Sequence, residues 1–195
     1  MDLGIVTIAT TSDGEITAAR RLNQYRQRHR DLRQKFQKKR TRSAMRVLKR
    51  VRCREARHAT NQNHVIAKQL VAAAERTSRG IALEDLSGIR QRVTAKKDQR
   101  ARLHSWAFAQ LGGFVEYKAR RAGVPVVFVD PRNTSRQCSE CRRTHRTNTV
   151  TQARFVCRSC GTVMHADHNG SRNIAHRGEA AWKRGAVNRP RTGAG

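Results

Sequence analysis

Four cysteines in two C-x2-C pairs constrain this chain more tightly than any other feature: Cys138 with Cys141, then Cys157 with Cys160, with fifteen residues between the pairs. Each pair forms a tight knuckle that aims two sulfurs at one point. Two knuckles at this spacing make a four-thiolate structural zinc site, with Zn–S distances of about 2.3 Å. The competing outcome is a pair of disulfides. Charged and turn residues follow the first apolar run where a secretory leader would continue, so an intracellular, reducing compartment is expected and zinc is favoured. His145 and His165 are of a ligand type, but four thiolates already complete a tetrahedron. Cys53 stands alone among arginines and is read as a plain thiol.

Charge decides the partner. The 195 residues carry 42 Lys and Arg against 14 Asp and Glu, a formal +28 that repels itself unless a polyanion neutralises it. Nucleic acid is the natural partner. A membrane is not, because the longest apolar run, "VPVVFV", has six residues where a spanning helix needs about 20. The charge is concentrated: residues 20–57 hold seventeen Lys or Arg and two acids, Asp31 and Glu55. Leu22, Tyr25, His29, Leu32 and Phe36 fall at alternating steps of three and four, a narrow seam on a basic helix. The pattern breaks at "KKRTRSA", and a second helix runs on to about Ala74, so an antiparallel basic pair is expected over about 20–75. Phosphate contact is its expected use, since affinity for a phosphate backbone grows with the cations engaged. Few aromatics interleave, so base stacking is not indicated.

Short apolar strands flank the pair. "LGIVTIAT", "TSDGE" and "ITAA" read as strand, Asp-Gly turn and strand. Further strands are expected at "GIALEDL" and "VPVVFVD", with a helix over 103–122 between them. Strands alternating with helices point to an α/β fold.

Against so few acids, three in apolar settings stand out: Asp2 before "LGIVTI", Glu84 in "IALEDL" and Asp167 in "VMHADHNGSRNI". Converging on one sheet, they would supply the hard oxygen ligands that Mg²⁺ or Mn²⁺ requires. Two such ions activate water and stabilise the leaving oxygen of a phosphodiester. Plainer readings stand beside this one: Asp2 as a frayed terminus, Glu84 as an edge-strand surface residue, Asp167 as an N-cap of the short helix expected to follow it. Asp13 is read as turn chemistry, Asp130 as a strand-ending cap, and Asp85 as the outward neighbour of Glu84 on the pleat.

Taken in order, "DLGI…TSDG", "IALEDLSGI", "YKARRAGVPVVFVDPRNTSRQCSEC" and "CRSCG…HADHNGSRNIAHRG" resemble the C-terminal half of the TnpB proteins, also called OrfB insertion-sequence transposases, relatives of the type V CRISPR effectors. The resemblance covers residues 2–178. It implies an RNase H-like (RuvC-like) α/β fold with a mixed sheet, a basic helical-pair insertion and an inserted zinc ribbon. The implied layout is a nuclease core over 1–135, the ribbon over 136–163, the third nuclease motif over 164–178 and a disordered basic tail over 179–195. The implied function is metal-dependent DNA cleavage directed by a guide RNA from the element end, with Asp2, Glu84 and Asp167 as catalytic acids and Mg²⁺ or Mn²⁺ ligands. DNA and guide RNA are the implied partners, in a bacterial cytoplasm at the nucleoid. No strand-transfer chemistry is read from these residues. The alternative is a non-catalytic zinc-ribbon module that binds nucleic acid.

Two departures carry expectations. The family's first knuckle usually ends Cys-Gly, whereas Cys141 is followed by Arg142, so a residue with a Cβ is expected in a left-handed turn at a cost of about 1 kcal/mol. Relatives also carry an extensive N-terminal half and several strand residues before the first aspartate. Asp2 is preceded by Met1 alone, and weak or absent cleavage is expected of a carboxylate so loosely held.

Overall fold

The computed structural model of the chain describes residues 1, 7–18, 20–86, 108–151, 153–185 and 187. The expected hairpin is present: β1 (Thr7–Thr10) pairs antiparallel with β2 (Ile16–Ala18). Its turn holds the Asp-Gly pair. Gly14 adopts φ +89°, and Thr11 closes the loop by donating its N–H to Glu15 O and accepting from Gly14 N.

The basic pair is α1 (Arg20–Lys39) and α2 (Arg42–Arg76). The chain reverses at Arg40, φ +47°, and restarts at Thr41, whose hydroxyl accepts from Ala44 N at 3.2 Å as an N-cap. The predicted seam holds only in part. Leu22 is buried in the core, and the Tyr25 ring lies between His29 and His58, at 4.2 and 4.1 Å. Leu32, by contrast, is 40 % exposed.

The strands at "GIALEDL" and "VPVVFVD" become β3 (Ile81–Glu84) and β4 (Val126–Val129), a parallel pair with Ile81 opposite Val126 and Glu84 opposite Val129. Between them lies α3 (Phe108–Arg121); the part of the expected helix over 103–107 falls outside the described residues. A parallel pair needs cover on both faces, and here it has it. Ile81, Leu83 and Val126 pack with Ile66, Val71, Leu111 and Val115 of α2 and α3, while Val127 and Val129 pack with Ile174 and Ala181 of α4 (Ala166–Lys183). That explains an unbroken apolar run at β4 in place of alternation. Among the described residues the hairpin and the parallel pair are separate sheets, so no joined mixed sheet is seen in them.

The ribbon closes with β5 (Arg154–Val156) antiparallel to β6 (Val163–His165), around the fully buried Phe155. It runs straight into α4, and two expectations are corrected there. The short helix expected after Asp167 is 18 residues long, so the stretch 179–183 is helical and does not belong to a disordered tail. The cause is packing: Ala181 is buried against β4, and the Trp182 ring covers Gly80, where an added Cβ would meet it at 3.0 Å. Residues 188–195 lie outside the described residues.

Candidate functional site

The four ribbon thiols form a single cluster, all sulfurs within 4.8 Å of one another. Cys138 Sγ lies 3.7 Å from Cys160 Sγ, and Cys141 Sγ lies 3.6 Å from Cys157 Sγ. A tetrahedron with Zn–S distances of about 2.3 Å has edges of about 3.8 Å, so the donor set fits zinc in both chemistry and size. No disulfide joins these cysteines. The turn predicted from the Cys-Arg departure is observed: Arg142 has φ +65°, matching Gly161 after the second knuckle at φ +75°. The two rejected histidines are engaged elsewhere. His145 Nδ1 sits 2.8 Å from Thr147 Oγ1, and His165 Nδ1 accepts from Asp167 N at 3.3 Å.

The thiols are electrostatically unequal. Burial pushes Cys138 up to about 12, whereas the Thr162 hydroxyl and then its backbone N–H hold Cys160 down to about 6. Four thiolates this close are tenable only around a cation, which is the role a dication fills.

Two of the three predicted acids, Glu84 and Asp167, lie in elements that pack on one another, β3 and α4. On β3, Ala82 faces α4 at its closest approach, Gly178, and the two-residue period of a strand brings Glu84 to the same side. Glu84 is 8 % exposed, which overturns its reading as a surface residue, and its Oε1 lies 3.4 Å from the hydroxyl of buried Thr134. Asp167 is half-buried in the first turn of α4, where the helix dipole favours a carboxylate. The N-cap is His165, so the cap reading of Asp167 is corrected as well. The two acids are linked by direction. Moving from Ala82 to Glu84 along β3 corresponds to moving from Gly178 past Asn173 along α4, toward Asp167, since Asn173 donates to Thr134 O at 2.8 Å. The carboxyl end of a parallel strand thus faces the N-terminal turns of α4, the usual ligand position in α/β sheets. The hairpin turn reaches the same end: Ser171 Oγ donates to Thr11 O and His168 Nε2 to Ser12 O, at 2.8 and 3.0 Å. Asp2 lies outside the described residues; Met1 beside it donates its amino N–H to Ala82 O at 2.8 Å.

Three buried polar residues went unnoticed in the sequence: Thr134, Asn169 and Asn173, all 5 % exposed or less. The sequence signal for the two asparagines is their spacing of four residues, which places both on one face of a helix. A basic groove of about 470 Å³ lies between the ribbon and the far half of α4, lined in part by Arg142, His176, Arg177 and Lys183. There, burial and then the charges of Arg142 and Arg172 hold His176 below its usual pKa. The expected basic helical pair carries its charge outward, with Arg28, Arg46, Arg50, Arg52, Arg54 and Arg57 all exposed on α1 and α2. No helix among the described residues is long and apolar enough to cross a membrane.

Comparison with known proteins agrees with this geometry. Residues 108–174 match the family model "Cas12f1-like, TNB domain". The chain is 39 % identical over 115 residues to the CRISPR-associated endodeoxyribonuclease Cas12f1 of Sulfoacidibacillus thermotolerans, covering 58 % of this chain and 26 % of the relative. It is 33 % identical over 164 residues to a TnpB-like protein of Methanocaldococcus jannaschii, covering 80 % of this chain and 58 % of the relative. In fold it is similar to Cas12f1 as seen in a complex with sgRNA and target DNA, with a TM-score of 0.69 at 18 % identity over 88 % of this chain and 47 % of that one. The chain therefore spans from about a quarter to less than two thirds of the length of these relatives. In its sequence the chain is similar to the TnpB-like and Cas12f1 proteins, its residues 108–174 match the Cas12f1-like TNB domain, and its fold is similar to that of Cas12f1.

Proposed function

We propose that this chain is the RuvC-like catalytic portion of an RNA-guided, metal-dependent DNA endonuclease, in which Asp2, Glu84 and Asp167 hold Mg²⁺ or Mn²⁺ and the four cysteines hold zinc. The observation that carries the proposal is Glu84: a carboxylate buried at the carboxyl end of a parallel strand, on the face covered by the helix whose first turn bears Asp167. When bound, the divalent ions supply activation of water and stabilisation of the departing oxygen.

Other tasks fall to the chain's own groups. The arginines of α1 and α2 grip phosphates without reading bases, which suits a guide–target duplex recognised by its shape. The apolar layers on both faces of β3 and β4 hold Glu84 fixed. DNA and guide RNA are the partners this reading assigns, with the nucleoid as its place of action.

The test is a calorimetric Mn²⁺ titration of the zinc-loaded 195-residue protein and of Glu84→Gln and Asp167→Asn. Binding that each substitution weakens at least tenfold supports the proposal. Unchanged binding in both variants, with DNA affinity independent of Mn²⁺, refutes it in favour of a zinc-ribbon nucleic-acid-binding module.

A further inference from the structure

Two asparagines of α4 make buried hydrogen bonds that the proposed function does not use. Asn169 and Asn173 are both fully buried, one helical turn apart. Asn169 accepts from Ser139 N at 2.9 Å through Oδ1 and donates from Nδ2 to Gln137 O at 2.8 Å. Asn173 donates from the same amide nitrogen to Thr134 O at 2.8 Å and Gln137 O at 2.6 Å. One carbonyl, that of Gln137, thus receives two successive turns of α4. Ser139 lies inside the first zinc knuckle, one residue past Cys138, and Thr134 is the residue whose hydroxyl faces Glu84. Burying a carboxamide is costly, more so at Asn173, whose buried Oδ1 has no hydrogen-bond partner among the described residues, and an apolar residue would pack this helix at less cost. What the amides provide and an apolar residue lacks is a fixed register between α4 and the segment 134–139.

We infer that Asn169 and Asn173 are positioning residues that make the zinc knuckle and the acid pair one mechanical unit. Folding of the knuckle around its ion sets the backbone at Gln137 and Ser139. Through the two amides it sets the rotation and depth of α4, and with them the distance from Asp167 to Glu84. A knuckle without its ion leaves Ser139 N and Gln137 O free to drift, and α4 then loses its register over β3. The role given to the acids rests on the proposed function; the mechanical coupling does not.

The test uses the 195-residue protein, zinc-loaded and zinc-stripped, with hydrogen exchange read by mass spectrometry. Zinc is expected to slow exchange at 166–173 about tenfold as well as within 138–160, with no change across α2. The Asn169→Ala/Asn173→Ala variant is expected to bind zinc but to lose the protection at 166–173. Asn148→Ala, which removes an amide bonded to Arg136 O and Arg158 N inside the ribbon, keeps the transmission. Protection that stops at the ribbon, or that changes equally in α2, overturns the inference, and both are read on the unmodified chain. In the same samples, zinc loading is expected to tighten Mn²⁺ binding by about 5- to 150-fold in the parent and by less than twofold in the double variant. Mn²⁺ binding that zinc does not shift also overturns the inference. Transmitted protection with no Mn²⁺ binding at all upholds the clamp and refutes the proposed function, so the two fail separately.

Discussion

Gly178→Ala is a perturbation on which two physical effects disagree in sign. Gly178 sits in the interior of α4, where replacing glycine by alanine ordinarily gains about 1 kcal/mol of helix propensity. Here, however, the added methyl would overlap the Cβ of Ala82 on β3 while lying 3.6 Å from its Cα. Neither methyl has a rotamer to escape into, so α4 or β3 must move as a whole. Overpacking of this kind costs about 1–3 kcal/mol, and two rigid backbones place it in the upper half of that range. The net is a loss of about 1–2 kcal/mol, or about 2–8 °C in Tm for a chain of this size. The control is Gly113→Ala on α3, where nothing lies within 4 Å of an added Cβ, and where the propensity gain should appear alone as a rise of about 2–4 °C. Thermal unfolding of both variants, followed by far-UV circular dichroism with zinc present, decides the matter. Equal rises in Tm would refute the claimed close approach of α4 to β3. A fall for Gly178→Ala alone, reversed by adding Ala82→Gly, would establish it.

Arg142→Gly relieves about 1 kcal/mol of left-handed backbone strain at φ +65° but gives back about 0.4–1 kcal/mol through glycine's freer unfolded chain, so the zinc-loaded chain should gain at most about 0.6 kcal/mol; a clearly lower Tm would show that the Arg142 side chain offsets its strain by packing. Zinc affinity should rise with pH. Burial pushes Cys138 up to about 12; at Cys141 the Arg143 N–H bond, the largest single influence, pulls downward, but burial and the Cys160 and Cys157 sulfurs together outweigh it and raise the thiol, so both are protonated at neutral pH. Cys160, held at about 6, is already a thiolate there. Binding must then release at least two protons, and competition with a chromophoric chelator should show affinity falling by at least about a hundredfold per unit of acidification; a pH-independent affinity contradicts the assignment. DNA binding should weaken linearly in log salt, with a slope of about −0.9 per phosphate engaged, and charge-removing substitutions on α1 and α2 should flatten it. His58→Ala should loosen α1 from α2 by removing one ring stacked on Tyr25, a loss of about 0.5–1.5 kcal/mol beyond buried area, read as faster hydrogen exchange in α1.

Local chemistry was legible in the sequence because it depends on spacing along the chain. The knuckles, the Asp-Gly hairpin, the break between the basic helices and the left-handed turn at Arg142 each follow from a few adjacent residues, and all are observed. The composition likewise determined a strongly cationic surface, since +28 on 195 residues has nowhere to go but outward. What the sequence left open were contacts between segments far apart in the chain. Whether Glu84 is buried or exposed depends on which face of β3 meets α4, and that is settled by the fit of Gly178 against Ala82. The length of α4 depends on Ala181 and Trp182 finding β4 and Gly80, so a stretch that reads locally as a polar tail becomes helix. Asn169 and Asn173 look like ordinary polar helix residues until the segment 134–139 is brought against them. A chain's periodicity records which residues seek burial, whereas the partner that buries them is chosen only when the layers close, because shape complementarity is a property of two surfaces and not of either one alone.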